Sequence, residues 1–237
     1  MLINFYRSIL FHLVISVLTI IIVLLTSFKL PIELGLFNIF IYYLFGRMYL
    51  VKLSVMEEQM YDPNWVELRE YTPSWVEEFN KEKMVICDAL GYTALNIHHV
   101  GSTSIPCLAS KPIIDIIVGI QDINKFKVED INKLESVDYV FRGNAGVPGR
   151  LFFRKGLPRA KFHLSVATLE GAYWNKQIIF RDYLRTHPND AKEYQDLKVK
   201  LAHQYVNDRA TYTNLKDPLI KSILEKAYLW RPPLSEK

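Results

Sequence analysis

The sequence predicts an α+β protein preceded by an N-terminal hydrophobic membrane segment, and three observations carry that prediction. Five stretches rich in Ile, Val, Phe and Tyr, at 95–100, 113–120, 139–142, 151–154 and 162–167, read as strands. From Tyr173 to about Tyr228 the apolar spacing turns helical, so strands come first and helices last. Ahead of both, ILFHLVISVLTIIIVLLTSF runs from Ile9 to Phe28 without one Asp, Glu, Lys or Arg.

Twenty apolar residues, at about 1.5 Å of helical rise each, match the thickness of a bilayer core. A secretory leader has a shorter apolar region and a small-residue cleavage site, and no Ala-x-Ala-like site follows here. A buried helix is rarely apolar on every face for so long. Residues 9–28 are therefore expected to enter the lipid bilayer. A second run, LGLFNIFIYYLF (34–45), is too short to span comfortably; it fits an interfacial segment, a hairpin or a short second pass. Arg47 and Lys52 after it favour a cytoplasmic remainder. The competing reading starts translation at Met56 or Met60 and gives a soluble cytoplasmic protein. The expected organisation is a membrane segment over 1–54, a linker over 55–70 and one folded domain over 71–237.

With half its residues hydrophobic and a net charge of +4, the 237-residue chain is globular and not a disordered tail. Residues 1–54 carry Arg7, Lys29, Arg47 and Lys52 against Glu33 alone. The remainder is nearly neutral, so a pI near 8.9 makes no case for nucleic-acid binding. Cys87 and Cys107 form neither a metal-ligand spacing nor a disulfide framework, which points to a reducing compartment.

Within the domain, YDPNWVEL (61–68) and YTPSWVEEF (71–79) repeat Tyr-x-Pro-x-Trp-Val-Glu, too few copies for a solenoid. The second copy opens a helix: Ser74 and Glu77 have capping-box spacing, and Trp75, Phe79, Val85, Ile86 and Leu90 run to Gly91 as a stop. A helical pattern at 122–136 joins the second strand to the third. The C-terminal helices are punctuated by Pro188, Asn207 and Pro218.

The chemistry concentrates in HHVGSTSIPCLASKPIIDIIVGI (98–120). A small-residue turn after a strand, Gly101-Ser102-Thr103-Ser104, either holds a phosphate on hydroxyl and N–H groups or is a plain turn. Asp115 lies within an apolar strand, where an isolated carboxylate is costly unless a cation meets it. Hydroxyls, backbone and a carboxylate converging on one Mg²⁺-phosphate unit are the working parts of phosphoryl transfer.

HVGSTSIPCLASKPIIDIIVGI, with YTPSW, RLFFRK, FHLSV and the helical WNKQIIFRDYLRTHPNDAKEYQDLKVKLA, closely resembles the GrpB-like family (uncharacterised protein family 0157) over roughly residues 71–228. That family belongs to the nucleotidyltransferase superfamily, so the resemblance implies a nucleotidyltransferase-like mixed β-sheet with flanking and C-terminal helices. It implies that Gly101 and Ser102 hold phosphate, that Asp115 binds Mg²⁺ or Mn²⁺, and that His163 is a second ligand or a base. The pattern departs from an active nucleotidyltransferase at Ile117, where a second carboxylate belongs. It departs again at Ser165, where the family commonly shows the second histidine of His-x-His, and at Cys107, where it usually has Gly.

Other candidates carry two readings each. Lys111 pairs with Asp115 or a phosphate, or is a solvated loop lysine. Arg154, by strand alternation, faces the site as a bidentate phosphate ligand or is a surface arginine. Arg181 and Arg185, one helical turn apart, close over phosphates or pair with neighbouring acids. His163 is a site residue or a hydrogen-bonded core histidine. Trp174, Phe180 and Tyr183 are core residues, or one of them stacks on a base. The function these residues imply is binding of a nucleotide or phosphorylated small molecule with one divalent metal, extending to nucleotidyl transfer; the alternative is a non-catalytic, membrane-tethered sensing or accessory domain.

Overall fold

A computed structural model describes residues 64–157 and 159–230, all within the unit Glu58–Lys237. The membrane segment expected over 9–28 lies outside them; among the described residues no helix is long and apolar enough to cross a membrane. The architecture is α+β, a mixed five-stranded sheet with flanking helices.

Helix α1 (Ser74–Leu90) opens the domain, and its start differs from the expected capping box. Pro73 is the N-cap and has no side-chain acceptor, while Thr72 Oγ1 accepts the Ser74 N–H at 3.3 Å. The hydroxyl that serves the helix start thus lies two residues earlier than expected.

Strands β1 (Asn96–Val100) and β2 (Ile114–Ile120) form an antiparallel pair with Val100 opposite Asp115. After a short turn come α2 (Val128–Glu135), β3 (Val140–Phe141), β4 (Leu151–Lys155) and β5 (Phe162–Thr168). The helical pattern read over 122–136 is therefore a 3₁₀ turn at Ile123–Lys125 followed by a shorter α-helix. The strand order is β1-β2-β5-β4-β3, with β2 and β5 parallel and the other neighbours antiparallel.

Alternation sorts the side chains. Ile114, Ile116, Val118 and Ile120 of β2 join Phe162, Leu164 and Val166 of β5 on one face, under Phe79, Ile86 and Leu90 of α1 and Leu134 of α2. On the other face Ile117 and Ala167 pack with Val100 and Trp174 of α3 (Ala172–Thr186). A Cβ on Gly119 would come within 2.8 Å of the Trp174 ring, so glycine lets the indole lie against the sheet. Burial on both faces explains why IIDIIVGI reads as a nearly unbroken apolar run.

A second core lies among α3, α4 (Pro188–Gln204) and α6 (Asp217–Trp230), where Tyr183, Leu184, Tyr194 and Ile223 enclose Ile105 and Leu108 from the loop after β1. Trp174 and Tyr183 are core residues as expected. Helix α5 (Arg209–Asn214) supplies Tyr212, which packs with Val66 and Leu201. That contact corrects the linker boundary. Val66 is buried and its N–H bonds Val206 O at 2.7 Å, and Arg69 exchanges both backbone hydrogen bonds with Ser110, so the folded domain begins before residue 71.

Two predictions follow from these contacts. Cys107 holds φ = 62°, so the loop keeps the left-handed turn for which glycine is suited, at a cost of about 1 kcal/mol. Cys107→Gly should raise the midpoint of urea unfolding without changing its slope; a fall would mean that the cysteine side chain supports the turn. Glu82, buried on α1, accepts from Lys155 Nζ at 2.8 Å across to β4. Glu82→Ala should cost about 2–3 kcal/mol by calorimetry, because Lys155 is left half-buried without its partner.

Candidate functional site

The site begins at the end of β1. Gly101 takes φ = 67°, and a Cβ there would run into the Asp115 side chain, whose Cβ and Cγ would be 2.9 Å away. Glycine is needed twice over, for the backbone conformation and for the close approach. The chain then makes a single 3₁₀ turn at Ser102–Ser104.

Hydrogen bonds hold this turn from inside. Thr103 Oγ1 donates to Ile113 O at 3.2 Å and lies 3.0 Å from His99 Nε2. Because the hydroxyl proton goes to the carbonyl, that network assigns the donor role to His99 Nε2. Burial lowers the His99 pKa to about 4, so the ring is neutral. Ser104 Oγ donates to Gly101 O at 2.6 Å. Thr103 and Ser104, expected as phosphate ligands, are thus buried and bonded inward; within the turn, Gly101, Ser102 and Thr103 border the open cleft.

Of the two readings of Arg181 and Arg185, pairing with a neighbouring acid holds for Arg181, which meets Asp182 at 2.6 Å, while Arg185 bonds a backbone carbonyl. Arg181 Nη1 donates to His99 O at 3.0 Å and its Nε to Asp182, while Arg185 donates through Nε and Nη2 to Ser104 O at 3.1 and 2.7 Å. Neither lines the cleft; both fasten the end of β1 and the turn to α3.

Asp115 and His163 are neighbours across β2 and β5, with Oδ1 3.2 Å from Nδ1. Asp115 is 41% exposed in its side chain and His163 17%. The partner of Asp115 is therefore His163, and not Lys111. Arg154 stands opposite His163 in the β4–β5 register and so shares its face, yet it lies outside the cleft. Ile117 is fully buried with Val100, Ala167 and Trp174. Ser165, opposite Ile117, is buried with its Oγ 3.2 Å from Tyr173 Oη, which also accepts from Arg150. Ile117 and Ser165, the two places where the sequence departs from the expected pattern, are thus sealed under α3. Among the described residues no three His, Cys, Asp or Glu side chains gather in a metal-binding group.

The cleft in front of Asp115 has a volume of about 380 Å³. Lys111, a candidate from the sequence, lines it from the loop before β2. The C-terminal helices add Lys198, Arg209 and Lys216 with Tyr194 and Tyr212, which were not anticipated from sequence. Lys111 and Lys216 lie over the Tyr212 ring, 4.5 and 4.2 Å from its centroid, and Lys198 lies 4.8 Å from that of Tyr194. Lys198 is 2% exposed, and its Nζ donates to Ala109 O at 2.5 Å. Burial, with the repulsion of Lys216, lowers its pKa to about 7; burial and neighbouring cations hold Lys111 at about 8, and burial holds Lys216 at about 8. One signal was in the sequence: Tyr194, Lys198 and Leu201 follow the helical repeat of a buried stripe, with a lysine where an apolar residue belongs.

A sheet end carrying one carboxylate and a glycine turn, with lysines lining the same cleft, defines an α+β domain with a cation-lined cleft. The chain belongs to the GrpB family, described as "GrpB protein", which matches residues 65–226. It is 36% identical over 172 residues to UPF0157 protein YqkA of Bacillus subtilis, covering 73% of this chain and 50% of that one; it thus spans half the length of that relative. Glutamate-rich protein GrpB of Alkalihalophilus pseudofirmus is 36% identical over 163 residues, covering 66% of this chain and 92% of that one. The crystal structure of conserved protein GrpB from Enterococcus faecalis superposes with a TM-score of 0.64 at 33% identity, covering 70% of this chain and all of that one.

The depressed pKa of Lys198 has a worked sign. Below about pH 7 its ammonium is charged whether the chain is folded or unfolded, so the cost of burying it is fully present. Between about 7 and 10.5 the folded state has released a proton that the unfolded state retains, so this contribution to stability rises with pH. Lys198→Met should therefore stabilise the ligand-free protein at pH 6–7 by about 1–3 kcal/mol and flatten that rise, as read by denaturant titration at several pH values. A loss of stability on substitution would show that the ammonium is a structural element.

Proposed function

We propose that this cleft binds a nucleotide or another phosphorylated small molecule, with its phosphates between the Gly101–Ser102 turn and the lysine wall. The observation that carries the reading is the grouping of lysines from separate elements opposite Asp115. Phosphate is the common biological ligand that supplies several negative charges in so small a volume. Phe180, half-buried in the cleft lining, offers an aromatic surface to the rest of such a ligand.

A two-metal centre does not fit these residues, because Ile117 and Ser165 occupy sealed positions. A single Mg²⁺ or Mn²⁺ does fit: half-exposed Asp115 and His163 would hold it, with the ligand's phosphate oxygens completing the shell. Such an ion would supply Lewis-acid polarisation of a phosphoryl oxygen. Asp115 orients the His163 ring through Nδ1, and the buried turn keeps both groups in place. Nucleotidyl transfer is the catalytic extension of this reading, and the Gly-Ser turn followed by Asp115 supports it. Burial of Ile117 and Ser165 favours the second reading, a non-catalytic sensing or accessory domain that uses the same pocket.

Thermal shift against a panel of nucleotides, with and without Mg²⁺ or Mn²⁺, tests the binding reading. A ligand at 100 times its Kd should add about 2.7 kcal/mol of stability, which corresponds to roughly 5–10 °C in Tm. Asp115→Asn should keep the ligand-free Tm within about 2 °C and abolish any metal-dependent increment. A panel without a single shift would sink the proposal. Residues 9–28 are proposed as the tether of this domain to a membrane, with the domain on the cytoplasmic side; release of the full chain by carbonate extraction would refute that.

A further inference from the structure

We infer that this cleft grips its ligand with fixed side-chain cations and not through a metal bridge, so that a polyphosphate binds tightly after divalent metal has been removed. The inference rests on the phosphate-binding reading above and concerns how that binding is achieved.

Four cations converge on the cleft from four parts of the chain. Lys111 comes from the loop before β2, Lys198 from the middle of α4, Arg209 from the first residue of α5, and Lys216 from the junction of α5 and α6. Among the described residues none of the four makes a salt bridge, although Lys155, Lys161, Lys192 and Lys226 elsewhere in the domain all do. Lys198 is the decisive one. At 2% exposure it has the Ala109 carbonyl as acceptor, which satisfies one of three N–H donors and leaves the charge uncompensated. Its two remaining donors and the open cleft are suited to an anion.

The charge balance then argues against metal as the agent of binding. With exposed Lys176 the wall carries five cations, against Asp115 and Asp217 as acids. A dication entering alone meets net repulsion in a site of reduced dielectric. Metal-first binding needs several carboxylates, and beside Asp115 and His163 the next positions on that face of the two strands hold Ile117 and Ser165, both buried. A linear polyphosphate carries three or more negative charges over a length that reaches several of these lysines at once, whereas orthophosphate meets few of them. Proton uptake by Lys111, Lys198 and Lys216, whose pKa values are depressed in the ligand-free cleft, accompanies that pairing.

The experiment is calorimetric titration of the full chain in detergent at pH 7 and moderate salt, with inorganic tripolyphosphate, pyrophosphate and orthophosphate in EDTA and again in excess Mg²⁺. Tripolyphosphate is expected to bind in EDTA within about threefold of its affinity in Mg²⁺, and about 100-fold more tightly than orthophosphate. Lys198→Met and, independently, Lys216→Met should each weaken it about tenfold with no fall in ligand-free Tm. Binding seen in Mg²⁺ and lost in EDTA overturns the fixed-cation inference and leaves the phosphate reading standing. Equal affinity for tripolyphosphate and orthophosphate, or unchanged affinity in both lysine variants, also overturns it. Failure of every phosphate in both buffers overturns the phosphate reading itself.

Discussion

The close approach of Gly101 to the Asp115 carboxylate is the constraint on which the site depends. β1 ends at Val100, directly opposite Asp115, and the next residue passes against the Asp115 side chain. A hydrogen in place of Cβ permits this, and any side chain at 101 would collide with the carboxylate. Once the turn is made, inward hydrogen bonds keep it: Thr103 to Ile113 O, His99 against Thr103, and Ser104 to Gly101 O. The carboxylate is left one direction in which to interact, towards His163 and the cleft.

That constraint also explains the arginines on α3. Arg181 and Arg185 take the carbonyls of His99 and Ser104, and so connect the sheet's edge to the helical half of the domain. Charge-assisted bonds to buried carbonyls are among the stronger single contacts in a protein. The two guanidiniums therefore hold the turn from behind, while lysines face it from the front. Position along the chain does not separate these roles. What separates them is where the cation sits: the arginines bond the turn's carbonyls outside the cleft, whereas the lysines line the cleft.

The opposite wall has the reverse character. Lys111 and Lys216 both lie over one phenol ring and Lys198 over another, arrangements that ease the burial of a cation without neutralising it. Compare Lys155, which meets Glu82 at 2.8 Å on the far side of the sheet and is thereby a structural cation. Removing the unpaired group should favour the ligand-free fold and removing the paired one should harm it, the contrast expected between a residue kept for a ligand and one kept for the core.

By itself the sequence determined the strands, the helical second half, the family and the pairing of turn with Asp115, because each is written in local periodicity or in a short contiguous motif. Runs rich in Ile, Val and Phe at 113–120 and 162–167 placed Asp115 and His163 on strands, and tertiary pairing of β2 with parallel β5 brought them to 3.2 Å. What the tertiary structure decided was the fate of each polar side chain. Thr103, Ser104, Arg181 and Arg185 look like ligands in a linear motif, yet they turned inward because backbone carbonyls buried by packing required donors. Lys198, Arg209 and Lys216 look like ordinary helix lysines, yet they became the cleft wall because α4, α5 and α6 fold back across the sheet's end. A residue's type and spacing are local quantities. Its charge compensation is a property of everything packed around it, and that exists once the chain has folded.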